Sequence, residues 1–460
     1  MIHPFTVNNQ HFVLDVHSGA VHMPDDLAYD ILTGAPLDGY SEEAVAAAQA
    51  EIDSLISKGQ LFSSLAAGIK ESEIDFTNNR PQIVKSLCLH IAHDCNLRCK
   101  YCFASELLDT EKASPQARSD SLSVPEKGDA HIKNSRALMS PEIGKKAIDF
   151  LIENSGARRN LEVDFFGGEP TLNFDTVKAI VEYARSREAE ADKNFRFTLT
   201  TNGLLLDDDK IEYINRYMDN VVLSLDGRKE VNDKMRGACY DKVLPKFQKL
   251  VEARGRQNYY IRGTYTRENP DFAKDVLHIA DLGFSQISVE PVIASPRASY
   301  AIRQEDIPAL CREYEHLAAM MLDRHSKGRE KFNFFHFMID LENGPCAAKR
   351  ITGCGAGTEY LAVTPEGDLY PCHQFVGDKQ FLLGNLDDGV IKADWQEKFS
   401  RLNVYTKPEC AGCWAKYYCG GGCAANAFYT NGDIAKSDLT GCELQKKRTE
   451  CALYLLGNDC

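Results

Sequence analysis

From residue 87 to about 325, short apolar runs alternate with amphipathic stretches. The apolar runs fall at 87–92, 161–166, 195–200, 221–225, 259–265 and 286–290, each the length of one strand. The amphipathic stretches fall near 141–154, 174–189, 207–218, 241–253, 271–282 and 304–324. Six such β/α units predict an α/β domain over 87–330. Its parallel sheet is curved or barrel-like, and the loops at the strands' C-terminal ends are available for chemistry.

Residues 1–68 carry a different rhythm. Three short β-type runs lie near 3–7, 11–16 and 20–23, the last two joined at Ser18-Gly19. Helical patterns follow near 24–32 and from Ser41, an N-cap before Glu42 and Glu43, to about Ser57. Strands followed by helices predict a small winged-helix-like unit. An exposed edge strand on it suits pairing with an extended peptide. Residues 69–86 read as a polar linker and 331–345 as a bridge. Residues 105–138, rich in Ser, Asp, Glu, Lys, Ala and Pro, interrupt the rhythm and read as a mobile insertion. From about 346 to 460, periodicity fades and cysteines dominate, the pattern of a domain organised by metal in place of a hydrophobic core.

At 460 residues the chain has room for roughly three domains. With 43% hydrophobic and 26% charged residues it is a globular protein and not a disordered one. The net charge of -14 argues against nucleic acid as a partner. Asp25, Asp26, Asp30, Glu42, Glu43, Glu51 and Asp53 argue against it for the N-terminal unit in particular. No apolar run approaches the roughly 18 residues of a membrane span. The opening MIHPFTVNNQ lacks the basic and apolar regions of a signal peptide. The expectation is a cytoplasmic protein without membrane contact.

Cysteine usage sharpens this. Ten of the 16 cysteines fall in two dense groups. Spacing that regular in a long chain points to metal, not to a disulfide framework. The first group, Cys95-x3-Cys99-x2-Cys102, sits directly after the first strand of the barrel. Three thiolates on one short loop can hold three corners of a [4Fe–4S] cube and leave the fourth iron open. Zinc would need a fourth ligand, for which only His93 and His90 are near.

That loop resembles the radical SAM superfamily. The resemblance implies that the open iron is chelated by S-adenosylmethionine, whose reductive cleavage yields a 5′-deoxyadenosyl radical. It implies a partial (β/α)6 TIM barrel, and it implies that Tyr101 and Phe103 lie near the adenine. Gly167-Gly168-Glu169-Pro170 matches the family's GGEP motif. Its glycines would let the backbone approach the ligand, and Glu169 would accept from the methionine ammonium. Thr200 and Asn202 end the third strand of the barrel, and Ser224 and Asp226 end the fourth. Ser224 resembles the family's ribose or carboxylate contact and Arg236 its carboxylate contact. Val292 falls where an apolar adenine wall is expected.

In the second group, Cys354 is followed by twelve residues, Gly367, four residues and Cys372. Then come Cys410-x2-Cys413-x5-Cys419-x3-Cys423 and Cys442. This resembles the seven-cysteine SPASM pattern, which implies two auxiliary [4Fe–4S] clusters and so three in all. Cys410, Cys413, Cys419 and Cys442 would hold the distal one; Cys354, Cys372 and Cys423 would hold the nearer one. Its missing ligand is either Cys346 or an open place that a substrate thiolate can take; the open place is favoured. Cys88 reads as a packed apolar residue. Cys239, Cys311, Cys451 and Cys460 have no partner spacing. Trp414, Tyr417 and Tyr418 read as shields for the clusters.

Taken together the chain resembles the radical SAM/SPASM maturases of ribosomally made peptides. It is most similar to the thioether-forming ranthipeptide and sactipeptide group, with the 105–138 insertion as the departure. The resemblance implies a precursor peptide whose leader docks on residues 1–68, and a low-potential donor of flavodoxin or ferredoxin type. Formylglycine formation, a carbon–carbon crosslink or decarboxylation are the enzymatic alternatives, and a non-catalytic iron–sulfur electron carrier the other. No acid–base pair stands out, and a thiol held by iron would need no protein base.

Overall fold

Strand β4, Ser86–Ala92, is buried along its whole length, as a strand covered on both faces must be. The computed structural model that shows this describes residues 1–64, 83–102, 136–294, 297–339 and 351–458. Phe103, Cys346, Cys460 and most of 69–86 and of 105–138 lie outside the described residues. Beside β4 run β5 (Asn160–Gly167), β6 (Asn194–Thr201), β7 (Asn220–Ser224), β8 (Asn258–Tyr265) and β9 (Gln286–Pro291), all parallel. Each adds to the same side of its predecessor, so all C-terminal ends share one rim.

Helices α3 (Pro141–Asn154), α4 (Phe174–Ala191), α5 (Asp208–Tyr217), α7 (Tyr240–Arg254), α8 (Phe272–Asp281) and α9 (Ile307–Ser326) return the chain between and after these strands. Ser140 and Asp207 cap α3 and α5 where the change of hydrophobic period places their starts. The outward positions Leu87, Leu89, Val163, Phe165, Phe197 and Leu199 are fully buried in one core with Ile148, Leu151, Val177 and Ile180 of the helices. The inward positions differ. Cys88, Asp164, Thr198 and Asn220 are register neighbours across β4 to β7 and form one layer on the concave side.

Several elements escape the periodicity. A short helix, α6 (Lys229–Arg236), carries Arg236. Strand β10 (Asn333–Phe334) extends the parallel sheet beyond β9. Beyond β4, β11 (Tyr360–Val363) adds in parallel, followed by antiparallel β12 (Asp368–Tyr370), β13 (Gly384–Asn385) and β14 (Gly389–Val390). Runs of two to four residues are too short to show a period. The cysteine-rich region also has an apolar core, centred on Phe375, Phe381, Phe399 and Phe428, where metal alone was expected to organise it.

The N-terminal unit is an antiparallel meander, β1 (Ile2–Val7), β2 (Gln10–Asp15) and β3 (Val21–His22), with α1 (Asp26–Thr33) and α2 (Glu42–Ser57). It packs on the far end of the chain. The His3 ring stacks on Trp414 at 3.7 Å and 9°. His3 Nε2 lies 2.9 Å from Glu450 of the C-terminal helix, Leu439–Asn458. On the same helix Phe12 meets Tyr454 edge-on, and Asn458 donates to Gln10 at 2.8 Å. The aromatic residues between the distal cysteines therefore form a docking face, with Tyr417 edge-on to His17. Among the described residues no helix is long and apolar enough to cross a membrane.

Candidate active site

The strand ends and the first cysteine loop enclose a cavity of about 480 Å³, a size suited to a small cofactor with part of a substrate. Cys95, Cys99 and Cys102 line it. So do Tyr101, Gly167, Gly168, Glu169, Thr200, Asn202, Ser224, Arg236 and Val292. Asp226 stands behind the wall, fully buried. The opposite wall is formed by Tyr360 of β11 and His373-Gln374, directly after Cys372. One cavity thus touches the first cysteine loop and the neighbours of a second-group cysteine.

Besides lining the cavity, the Gly-Gly pair admits the protein's own backbone. A Cβ on Gly168 would lie 2.2 Å from the Asp94 carbonyl oxygen, and one on Gly167, at φ +115°, 2.4 Å from that of Ala92. The bare backbone lets the end of β5 press against the cysteine loop. Gly168 N–H donates to Ala92 at 2.7 Å and Glu169 N–H to Asp94 at 3.0 Å. The glycines fix the thiols by fixing the loop's path.

Glu169 is buried at the head of this contact. Its carboxylate accepts from the backbone and hydroxyl of Thr171, from Thr201 Oγ1 at 2.7 Å and from Asn202 N at 2.8 Å. Burial raises its pKa against those bonds. Three of the four reach Oε1, so Oε2 keeps room for a ligand's donor. Asn202 ties the end of β6 to the loop: Nδ2 donates to Asn96 Oδ1 at 2.8 Å and lies 3.6 Å from Cys95 Sγ.

Asp226 organises the other side. It accepts from the Tyr101 hydroxyl at 2.7 Å, from Arg236 Nε at 3.1 Å and from the Thr264 backbone at 3.1 Å. The Arg236 guanidinium also lies over the Tyr101 ring. A carboxylate tied to three protein donors is a positioning group. It sets Tyr101, between two of the loop cysteines, and Arg236 against each other at the cavity wall.

The cysteines fall into three groups by mutual electrostatic influence. Cys95, Cys99 and Cys102 influence one another; so do Cys354, Cys372 and Cys423; so do Cys410, Cys413, Cys419 and Cys442. Burial pushes the Cys95 thiol up to about 11 and those of Cys99 and Cys442 up to about 12. Such thiols become good ligands only when a metal's charge draws off the proton. Among the described residues no three such side chains converge as the ligands of one ion do. The groups fit a cube that spans its thiolates. Three, three and four cysteines are donor sets for [4Fe–4S] clusters.

Sequence reading missed the layer beneath. Asp164 lines the cavity with Thr198 as its hydrogen-bond donor, and burial next to Glu162 pushes its carboxyl up to about 7. Tyr360 hydrogen-bonds both the Cys88 thiol and His373 Nδ1, the latter at 3.2 Å. Cys88 is buried, as a packed residue would be, and it also faces the cavity. Burial holds His373 neutral, down to about 4. Arg262 and Glu290 form an ion pair at 2.6 Å across the mouths of β8 and β9. The available signal was the pair Glu162 and Asp164, two acids at alternate positions and so on one face of a run read as apolar.

Two family models match the chain. The radical SAM superfamily model covers residues 89–278, and the SPASM iron–sulfur cluster-binding domain model covers residues 354–414. Among curated proteins, the radical SAM cyclopropyl synthase TigE of Paramaledivibacter caminithermalis is 20% identical over 375 residues, spanning 79% of this chain and 72% of that protein. Among solved structures, anSMEcpe with bound AdoMet and Cp18Cys peptide matches at a TM-score of 0.61 and 18% identity, covering 82% of this chain and 100% of that one. Streptococcus suis SuiB bound to its precursor peptide SuiA matches at 0.52 and 16%, covering 93% and 95%. These likenesses show the α/β barrel fold, and the SPASM model covers Cys354, Cys372, Cys410 and Cys413 of the second cysteine group. The chain carries a radical SAM domain over residues 89–278 and a SPASM domain over residues 354–414, consistent with S-adenosylmethionine and several [4Fe–4S] clusters as its cofactors.

Proposed function

We propose that this radical SAM peptide-modifying enzyme joins a cysteine sulfur of a ribosomally made precursor peptide to a carbon of an acceptor residue. The observation that carries this reading is the single cavity shared by the Cys95–Cys102 loop and the residues after Cys372. The cluster and S-adenosylmethionine, bound at the loop, supply a radical able to take a hydrogen atom from carbon. Glu169 Oε2, Ser224 and Arg236 orient the ligand, and Val292 walls it. Cys354, Cys372 and Cys423 are one thiol short of a cube's four, and a peptide cysteine fits that place.

The leader is assigned to the N-terminal unit. Strand β1 lies against the C-terminal helix, while β3 pairs with β2 alone, so β3 is the edge left for an added strand. Tethering there raises the local concentration of the core segment. A flavodoxin- or ferredoxin-type donor supplies the electron.

A thioether leaves the peptide two hydrogens lighter. One leaves as an atom; the other leaves as a proton and an electron, and an auxiliary cluster held by the second cysteine group would accept that electron. The proton can leave to solvent, as expected for a thiol held by iron, or pass to a carboxylate that faces the cavity. Glu169 is committed to four donors, Glu290 to Arg262, and His373 is a weak base. Asp164 remains, facing Glu162 on its own strand, Cys88 on β4 and Tyr360 on β11. Its carboxylate form prevails above about pH 7, so crosslinking is expected to rise with pH through that value and level off. The same shift stabilises the fold at lower pH, because the native state keeps a proton the unfolded chain has lost, and that contribution fades as pH rises to about 7. Asp164→Asn should keep 5′-deoxyadenosine formation, lose crosslinking by about a hundredfold and flatten the pH profile. Crosslinking at the parent rate would remove Asp164 from the reaction.

The reading is tested by anaerobic incubation of reconstituted enzyme, reductant and S-adenosylmethionine with a cysteine-containing precursor peptide, followed by mass spectrometry with and without thiol alkylation. Loss of two hydrogens with a cysteine that no longer alkylates supports the thioether. Loss of two hydrogens with the thiol still free replaces it by a carbon–carbon bond, the reading favoured by the likeness to a cyclopropyl synthase.

A further inference from the structure

Lys407 is 3% exposed, and among the described residues no carboxylate pairs with it. Its ammonium donates to the Gly421 carbonyl at 2.9 Å, inside the Gly420-Gly421-Gly422 loop that joins Cys419 to Cys423. Its backbone caps the short helix Pro408–Ala411, which carries Cys410. It also lines a small cavity of about 50 Å³ with Cys354 and the three glycines. Cys410 and Cys419 belong to the four-cysteine group, and Cys354 and Cys423 to the three-cysteine group, so Lys407 stands between the two.

A buried cation needs an opposite charge, and a carbonyl oxygen supplies only a partial one. Cysteine-ligated [4Fe–4S] clusters are anionic, and each gains another negative charge when its core goes from 2+ to 1+ by one electron. We infer that Lys407 is the shared counter-charge of both auxiliary clusters and raises the reduction potential of each. This rests on the cluster assignment and not on the thioether reading. It makes Lys407 a positioning residue for electrons: it sets how readily the auxiliary clusters accept one from the substrate.

The test uses the full chain, reconstituted anaerobically, without any peptide. Iron and sulfide are counted first, and EPR-monitored redox titrations follow for the parent, Lys407→Met and Lys407→Arg. Lys407→Met is expected to make the reduction of both auxiliary clusters about tenfold less favourable, which is about 59 mV for one electron. The cluster at Cys95, Cys99 and Cys102 should not move, and Lys407→Arg should stay close to the parent. Full iron content with unmoved auxiliary potentials in Lys407→Met overturns the proposal, and so does a shift confined to one auxiliary cluster. If Lys407→Met fails to take up iron, Lys407→Arg decides. Loading by the arginine variant supports a requirement for charge. Failure of both shows that the fit of the ammonium, and not its charge, is what the site needs.

Discussion

Cys99→Ala is expected to abolish 5′-deoxyadenosine formation and to lower the iron content by one cluster, leaving the rest in place. Two thiolates on a loop cannot hold the cube that three hold, and no other thiol of that group lies near. The fold should survive, because Cys99 lies on a loop outside the helices and strands of the core. Anaerobic iron analysis with chromatographic assay of deoxyadenosine reads both effects. Retained cleavage would show that the loop is not the site. Gly168→Ala makes a useful companion. Its Cβ would meet the Asp94 carbonyl at 2.2 Å, so the loop must move although every thiol remains. Cleavage should fall steeply there too, which separates placing the thiols from possessing them.

Asp226→Ala is expected to cost the fold about 3–5 kcal/mol, the usual penalty for removing one partner of a buried ion pair. Arg236 would keep its charge beside a side chain that no longer answers it, and the Tyr101 hydroxyl would lose its acceptor. Thermal or denaturant unfolding of the parent and variant measures the loss. Asp226→Asn should recover part of it by accepting from Tyr101 without neutralising Arg236. Cleavage of S-adenosylmethionine should decline in both variants, because Tyr101 sits between Cys99 and Cys102. An unchanged unfolding midpoint in Asp226→Ala would show that the network does not support the loop.

These residues show what the sequence could and could not reveal. The barrel was legible because its strands and helices are long enough to display their periods. The cysteine loops were legible because covalent spacing survives without knowledge of the fold. Roles that depend on what lies across a gap were not. Gly167 and Gly168 read as making room for a ligand, and that they also admit the backbone of the cysteine loop was not visible from their spacing. Asp226 was legible only as a residue at the end of the fourth strand, because its three donors stand on the cysteine loop, on α6 and on β8. Asp164 was hidden because the run reads as one strand by its apolar positions, and Glu162 and Asp164 between them read as its polar face until the cavity was seen on that side. Lys407 was hidden because a lysine three residues before a cysteine is unremarkable until its burial is known. Trp414 read as a shield, and its stack on His3, some four hundred residues away in the chain, is a further contact that no local spacing could show.

That last contact bears on the order in which the molecule folds. The N-terminal unit packs against the helix Leu439–Asn458 through His3 with Glu450, Gln10 with Asn458 and Phe12 with Tyr454. Its own hairpins close between neighbouring residues, whereas its seat is built from residues more than about four hundred positions along the chain, and contacts that distant form late. Docking of the unit beside Trp414 therefore follows the local folding of both partners, and a change at His3 is expected to alter the last step of folding more than the first.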